Sequence, residues 1–289
     1  MLSDDRRDRT RRFFGRRALA RIERAHVLVV GVGAIGNEVA KNLALVGVGR
    51  LTLVDADTVE LSNLNRCIFF REGDVGRRKV HVARRALRAA APAIEVAACA
   101  RPIQEAPDAV WDADVVALCV DDELARYYVN ARLLGDGRRT PVVNGAMGRT
   151  WGEVSVLVPG LTACLVCLWS DDYARAVLSE EVRRKCDAFF QETREKFPAI
   201  SVLTSLVGAL SSTEIVKLLA AEPGELPPAL GQRIRYDVRR HDLAVQQLVP
   251  NPQCVDALCR KRRAASRVPR TQESQHERFP QSGRNPRGR

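Results

Sequence analysis

Short apolar runs alternate with amphipathic stretches through the first half of the chain. His26–Val30, Arg50–Val54, Ile94–Ala98, Asp114–Val120 and Pro141–Asn144 are mostly aliphatic, as strands buried on both faces would be. Between them, Asn37–Val46, Lys79–Ala90 and Glu123–Leu134 space their apolar residues as helices do, and Pro92 stops the second. This alternation predicts an α/β fold, a Rossmann-like doubly wound and mostly parallel sheet with right-handed crossovers. After Gly152 the pattern changes. Glu153–Val158 and Arg233–Val238 read as strands of an antiparallel C-terminal extension. A long polar segment and then a helix, Ser201–Leu219, lie between them. Leu203, Leu206, Val207, Leu210, Ile215, Leu218 and Leu219 keep near-helical spacing, so that helix is expected to pack on the core. No internal repeat is visible.

A chain of 289 residues can bury a sizeable core as one large or two small domains. No apolar run approaches the roughly 20 residues of a bilayer span, so no membrane partner is expected. The N-terminus, rich in Asp and Arg, does not read as a signal peptide; a cytoplasmic setting with reduced thiols is expected. The net charge of +11 is concentrated at the ends. Residues 1–24, read as a basic helical segment, carry nine arginines against four acids, and residues 260–289 carry ten basic residues against two acids. The body, residues 25–259, is left at −2. The tail 260–289 has too few apolar residues to fold and is expected to be disordered. It reads either as a solubilising tail or as an interaction tail, and nucleic acid is expected through it alone.

The candidate chemistry begins at Gly31-Val-Gly33-Ala34-Ile-Gly36, directly after the first strand. A glycine turn opening a helix near Ala34 presents free N–H groups and a favourable dipole to a phosphate. Asp55 follows Gly31 by 24 residues, at the end of the second strand, where an acid can hold a ribose hydroxyl. Glycines alone fit NAD equally well, and an NAD-dependent oxidoreductase is one alternative. Asn63, Arg66, Lys79 and Asp121 shift the balance, because they fall in successive strand-end loops bordering one crevice. Adenylyl transfer needs such cations, since charge builds on the α-phosphate and the departing pyrophosphate. Asp121 can hold Mg²⁺ or cap the next helix, although Asp122 is the better cap. Asp57 can be a second carboxylate near the metal or fix its turn. Lys79 can also be a solvated helix residue.

At these residues the chain resembles the ThiF, MoeB and HesA family of adenylyltransferases, relatives of the ubiquitin-activating enzymes. Gly31, Gly33, Gly36, Asp55, Asp57, Ser62-Asn-Leu-Asn-Arg66, Val75-Gly76 with Lys79, and Asp121 carry the resemblance, which extends from about Leu28 to Cys254. Ala34 stands where many members have a third glycine. The resemblance implies an adenylation domain that uses ATP, with Mg²⁺, to adenylate the C-terminal carboxylate of a small ubiquitin-like or sulfur-carrier protein ending in Gly-Gly. A peptide or tRNA carboxylate is the alternative substrate. It further implies a homodimer in which an N-terminal arginine, here Arg11 or Arg12, reaches the partner's ATP. A crossover loop, about residues 169–198, is implied as well. In the family that loop often carries a cysteine forming a thioester or acyl-disulfide, a role that falls here on Cys186. Arg183, Arg184 and Lys185 would lower its pKa, although an incidental surface cysteine is the alternative.

Four other cysteines form a second pattern. Cys164 and Cys167 make a CxxC knuckle, and Cys254 and Cys259 supply two distant thiols, a set suited to a structural Zn²⁺. The family often carries such a zinc with a second CxxC after Asn-Pro. Here four residues separate Cys254 from Cys259, so the zinc reading needs the longer loop to reach both positions. Unligated thiols or a redox pair are the alternatives. Cys67, Cys99 and Cys119 read as small core residues.

Overall fold

The computed structural model describes residues 6–178, 200–220 and 226–265. Eight strands form one sheet in the order β3-β2-β1-β4-β5-β6-β7-β8. Five of them, β1 (His26–Val30), β2 (Arg50–Val54), β3 (Glu95–Cys99), β4 (Val115–Leu118) and β5 (Val142–Met147), run parallel. The last three, β6 (Trp151–Leu157), β7 (Gln232–Asp237) and β8 (Asp242–Gln247), continue the sheet antiparallel. The expected fold is therefore the observed one. The strand order reverses at β1, with β2 on one side and β4 on the other, and this opens a crevice outside their carboxyl ends.

β1 is buried along its whole length because helices cover both faces of the sheet. On one face lie α2 (Ala34–Val46), α3 (Lys79–Ala90) and a long helix that is numbered α6 below. The other face is covered by α4 (Glu123–Gly135) with Trp111, Leu165 and Leu248. The N-terminal helix α1 (Asp8–Ile22) breaks at Gly15, whose φ is 79°. The short helix α5 (Asp171–Leu178) follows the first cysteine knuckle, and α6 (Ser201–Ala220) packs against α1, α2, β5 and β6. Contrary to the sequence expectation, one segment among the described residues does reach the length and apolarity of a membrane span. It is α6, with a mean hydropathy of 1.5 over its best window. Its apolarity is explained by its place in the core, where Leu203, Val207, Ile215 and Leu219 are buried.

The sequence pattern missed β8, an edge strand exposed at every residue and held by its register with β7. The last helix, α7 (Ala257–Ala265), runs six residues past the boundary expected at 259. Those residues are ordered by hydrogen bonds rather than by apolar burial. Arg260 donates to the Cys254 carbonyl, Arg262 to the Leu134 carbonyl at 2.7 Å, and Arg263 to the Asn251 carbonyl at 2.9 Å.

Asp122 caps α4 as expected, accepting from the N–H groups of Leu124 at 2.9 Å and Ala125 at 3.3 Å. Asp122→Ala is expected to remove about 1 kcal/mol of stability. Thermal unfolding should register this as a fall of about 2–4 °C in Tm.

Candidate active site

The glycine loop between β1 and α2 is built around two close approaches. Gly31 has φ +89°, and a Cβ there would meet the Cys119 carbonyl oxygen at 2.8 Å. A Cβ on Gly36 would lie 2.0 Å from the Gly31 carbonyl oxygen, so α2 can pack down on the loop only without a side chain there. Gly33 differs from both. It is the N-cap of α2, and a Cβ there would meet nothing within 4 Å. Tight turn and open approach are thus divided among three glycines, and Ala34 begins the helix behind them.

Asp55 lies at the end of β2 and locks this loop. Its Oδ2 accepts the Val32 N–H at 2.6 Å and its Oδ1 accepts the Asp57 N–H at 2.7 Å. A carboxylate has about four lone-pair directions, so acceptors remain for a hydroxyl. Burial pushes the Asp55 carboxyl above its usual range, and the Lys79 ammonium opposes that shift. Lys79 is itself 9% exposed, and its Nζ sits 2.7 Å from Asp57 Oδ2. The structure therefore brings Gly33, Asp55, Asp57 and Lys79 to one place and rejects the solvated reading of Lys79.

Asn63 is buried in the turn Leu61–Asn63, where its Oδ1 accepts the Glu60 N–H at 3.1 Å. Arg66 follows in the same turn and donates to the Ser62 carbonyl and, at 2.9 Å, to Asn65 Oδ1. Cys67 lies under both cations. Its thiol feels Arg66, Lys79 and Asp55, yet burial dominates and pushes it up to about 11. Cys119, against the glycine loop, is pushed up to about 12 by burial. At pH 8 such thiols are thiolates only to about one part in a thousand or less. Cys67 and Cys119 are therefore expected to resist iodoacetamide at pH 8 in the native chain and to react after unfolding. Mass spectrometry of the labelled peptides would show it.

Asp121 lies beyond the end of β4 and is exposed. Behind it is a residue that motif reading missed. Arg126 is 7% exposed and donates to the Val120 carbonyl and to Asn144 Oδ1, tying the chain just beyond β4 to β5. Its only sequence signal is a cation on the buried face of α4. Arg12 pairs with Asp8 at 2.9 Å and Arg11 with the same carboxylate at 3.9 Å, both within α1. Cys186 and its basic neighbours Arg183, Arg184 and Lys185 fall outside the described residues.

The cysteine cluster forms at the far end of α4. The sulfurs of Cys164, Cys167, Cys254 and Cys259 all lie within 4.8 Å of one another. Neighbouring sulfurs are separated by 3.6–3.8 Å. A tetrahedron with metal–sulfur bonds of about 2.3 Å has edges of about 3.8 Å, so the donor set and its size fit zinc. The longer loop does bring Cys259 in, because Asp256 Oδ1 accepts the Leu258 N–H at 2.9 Å and the Cys259 N–H at 3.2 Å. Asn130 bridges the two knuckles, donating to Asp256 Oδ2 at 3.0 Å and accepting the Leu165 N–H at 2.9 Å. Shared hydrogen bonds among the thiols hold Cys167 below the usual thiol range and Cys164 above it.

The ThiF family profile matches residues 6–256 of this chain. The sulfur carrier protein ThiS adenylyltransferase of Escherichia coli is 32% identical over 199 residues, covering 68% of this chain and 72% of its own length. The Nedd8-activating enzyme E1 catalytic subunit of Drosophila melanogaster is 35% identical over 156 residues, covering 50% of this chain. The match spans only 35% of that longer relative. Among solved structures, Microcin C7 biosynthetic enzyme MccB in complex with N-formylated MccA superposes with a TM-score of 0.72 at 24% identity. The match covers 89% of this chain and 75% of MccB, and it shows the shared fold. The crevice thus lies in an adenylation-type α/β domain, and the chain belongs to the ThiF family.

Proposed function

We propose that this chain is an ATP-dependent adenylyltransferase that activates the C-terminal carboxylate of a small ubiquitin-like or sulfur-carrier protein ending in Gly-Gly. The observation that carries this reading is the buried Lys79, held 2.7 Å from Asp57 beside a glycine loop that Asp55 locks in place. The acceptor class rests on the relative named for the sulfur carrier ThiS. An NAD-dependent oxidoreductase is set aside by the family match.

Each residue has a defined part in this chemistry. The open side of Gly33 and the free N–H groups at the start of α2 receive phosphate oxygens. Asp55 accepts from the ribose, Lys79, Arg66 and the Asn63 amide balance phosphoryl charge, and Asp121 would hold a Mg²⁺ that supplies charge shielding to the phosphates. A carboxylate oxygen of the acceptor forms a bond to the α-phosphorus. The bond from that phosphorus to the bridging oxygen breaks, and pyrophosphate leaves with the electron pair. The attacking carboxylate is already an anion, so no general base is needed and catalysis is positioning plus electrostatics. In this reading Cys164, Cys167, Cys254 and Cys259 would hold a zinc whose part is structural, since four thiolates would fill its coordination.

The test is ATP–pyrophosphate exchange with Mg²⁺ against a panel of small carriers ending in Gly-Gly. Exchange that depends on one carrier is expected, and it names the partner. Exchange driven instead by a peptide or by a carboxylated tRNA base would move the substrate class and keep the reaction. A chain that binds no ATP would sink the reading. Cys186→Ala is expected to leave exchange intact and to abolish any covalent carrier adduct, which an acid-quenched gel would show.

A further inference from the structure

Asn37, in the first turns of α2, is 0% exposed. Such a position is ordinarily filled by an apolar side chain, and burying an amide is unfavourable unless its polar groups find partners. Here both ends of the amide are engaged. Nδ2 donates to the carbonyl oxygens of Val32 at 2.9 Å and Gly33 at 3.0 Å. Oδ1 accepts the Phe69 N–H at 3.1 Å. The two sets of partners belong to different parts of the site. Val32 and Gly33 are the glycine loop, while Phe69 lies in the next turn, three residues past Arg66.

We propose that Asn37 is a positioning residue that sets the separation between the phosphate-cradling loop and the Arg66 guanidinium, an inference that rests on the adenylyltransferase reading. Arg66 makes its own hydrogen bonds within its turn, to the Ser62 carbonyl and to Asn65. Its place relative to the phosphates is therefore the place of its backbone. The Asn37 amide ties the chain just past Arg66, at the Phe69 N–H, to the loop across 32 residues of sequence. A displacement of about 1 Å at a reacting centre can reduce the rate about a hundredfold, so the tie has a measurable consequence.

The experiment compares Asn37→Ala, Asn37→Thr, Arg66→Ala and the double variant Asn37→Ala/Arg66→Ala in the full metal-loaded chain. A threonine hydroxyl in a helix bonds the carbonyl four residues back, here Gly33, but does not reach Phe69. Both Asn37 variants are expected to lower kcat for exchange about 30-fold with KM for ATP changed less than about threefold. The double variant is expected to be no worse than Arg66→Ala by more than about threefold, because a misplaced arginine has little left to lose. Independent, multiplying losses would overturn the proposal, as would a threonine variant with parental kcat.

A second readout needs no acceptor. A non-hydrolysable ATP analogue is expected to slow amide exchange of residues 63–69 at least about tenfold in the parent chain and less than about threefold in Asn37→Thr, with β1 and β4 equally protected in both. Equal slowing in the two chains would overturn it. A parent chain that binds the analogue but supports no exchange with any carboxylate would count against the adenylyltransferase reading alone, and the amide-exchange comparison would still decide the role of Asn37.

Discussion

Lys79→Ala is expected to lower the rate of ATP–pyrophosphate exchange by about 10² to 10³-fold, the loss typical of removing one pre-placed group that stabilises developing charge. Lys79 sits in a water-poor position, 9% exposed, where a charge acts more strongly than at the surface. Its removal does two things at once. The phosphates lose a cation, and Asp55 and Asp57 are left facing them without the ammonium that balances both. Burial already raises the Asp55 carboxyl, and Lys79 is the first of the influences that lower it. Its pKa should therefore rise further in the variant. Adding Asp57→Asn removes one of the stranded charges, and the pair is expected to recover about tenfold over Lys79→Ala alone. Exchange kinetics on the three variants, with binding of an ATP analogue measured alongside, check the prediction. A loss under tenfold in Lys79→Ala would remove Lys79 from the phosphate site.

The second large effect is on stability. Chelating the metal from the cysteine cluster, or replacing Cys259 by serine, is expected to cost about 3 kcal/mol or more, since the binding free energy of a structural zinc is folding free energy. For a chain of this size the loss corresponds to a fall of about 6–12 °C in Tm. The reason lies in where the ligands come from. Cys164 and Cys254 are 90 residues apart, so a metal held by the four sulfurs would close a loop containing α6, β7 and β8. Without it, Cys164, Cys254 and Cys259 remain buried thiols in a small satellite core with Leu134 and Ala174, which has little apolar area of its own. Differential scanning calorimetry with and without a chelator, together with metal analysis, reads this directly. An unchanged Tm in a chain shown to have lost its metal would refute the structural role.

The parallel half of the sheet was legible because its strands are aliphatic runs separated by amphipathic helices, a pattern that burial on both faces imposes. β8 was not, because its apolar residues Leu243, Ala244 and Val245 are a short exposed group beside polar ones, and its pairing with β7 makes it a strand. Most of α7 hid in the basic tail for a related reason. Its arginines are ordered by carbonyls of Cys254, Leu134 and Asn251, none of which is a sequence neighbour. In the crevice, the glycines, Asp55 and Lys79 stood out because charge and turn chemistry mark them. The sulfur cluster was equally plain from its spacing, although only the Asp256 turn shows how Cys259 reaches it. Asn37 and Arg126 were not marked. Their importance comes from partners on other elements, and an isolated amide or guanidinium in a helix carries no local sign of them.

One helix connects the two chemistries of the molecule. α4 begins at the Asp122 cap, next to Asp121 in the crevice, and carries Asn130 beneath the sulfur cluster. Eight residues separate cap and amide, about 12 Å of helix. A helix turns by about 100° per residue, so one insertion or deletion between them would swing Asn130 away from Asp256 while Asp122 stayed in place. The interval between crevice and knuckle is in this sense a ruled length. Substitutions along α4 can be absorbed one at a time, but its residue count cannot change without uncoupling the nucleotide end from the sulfur end.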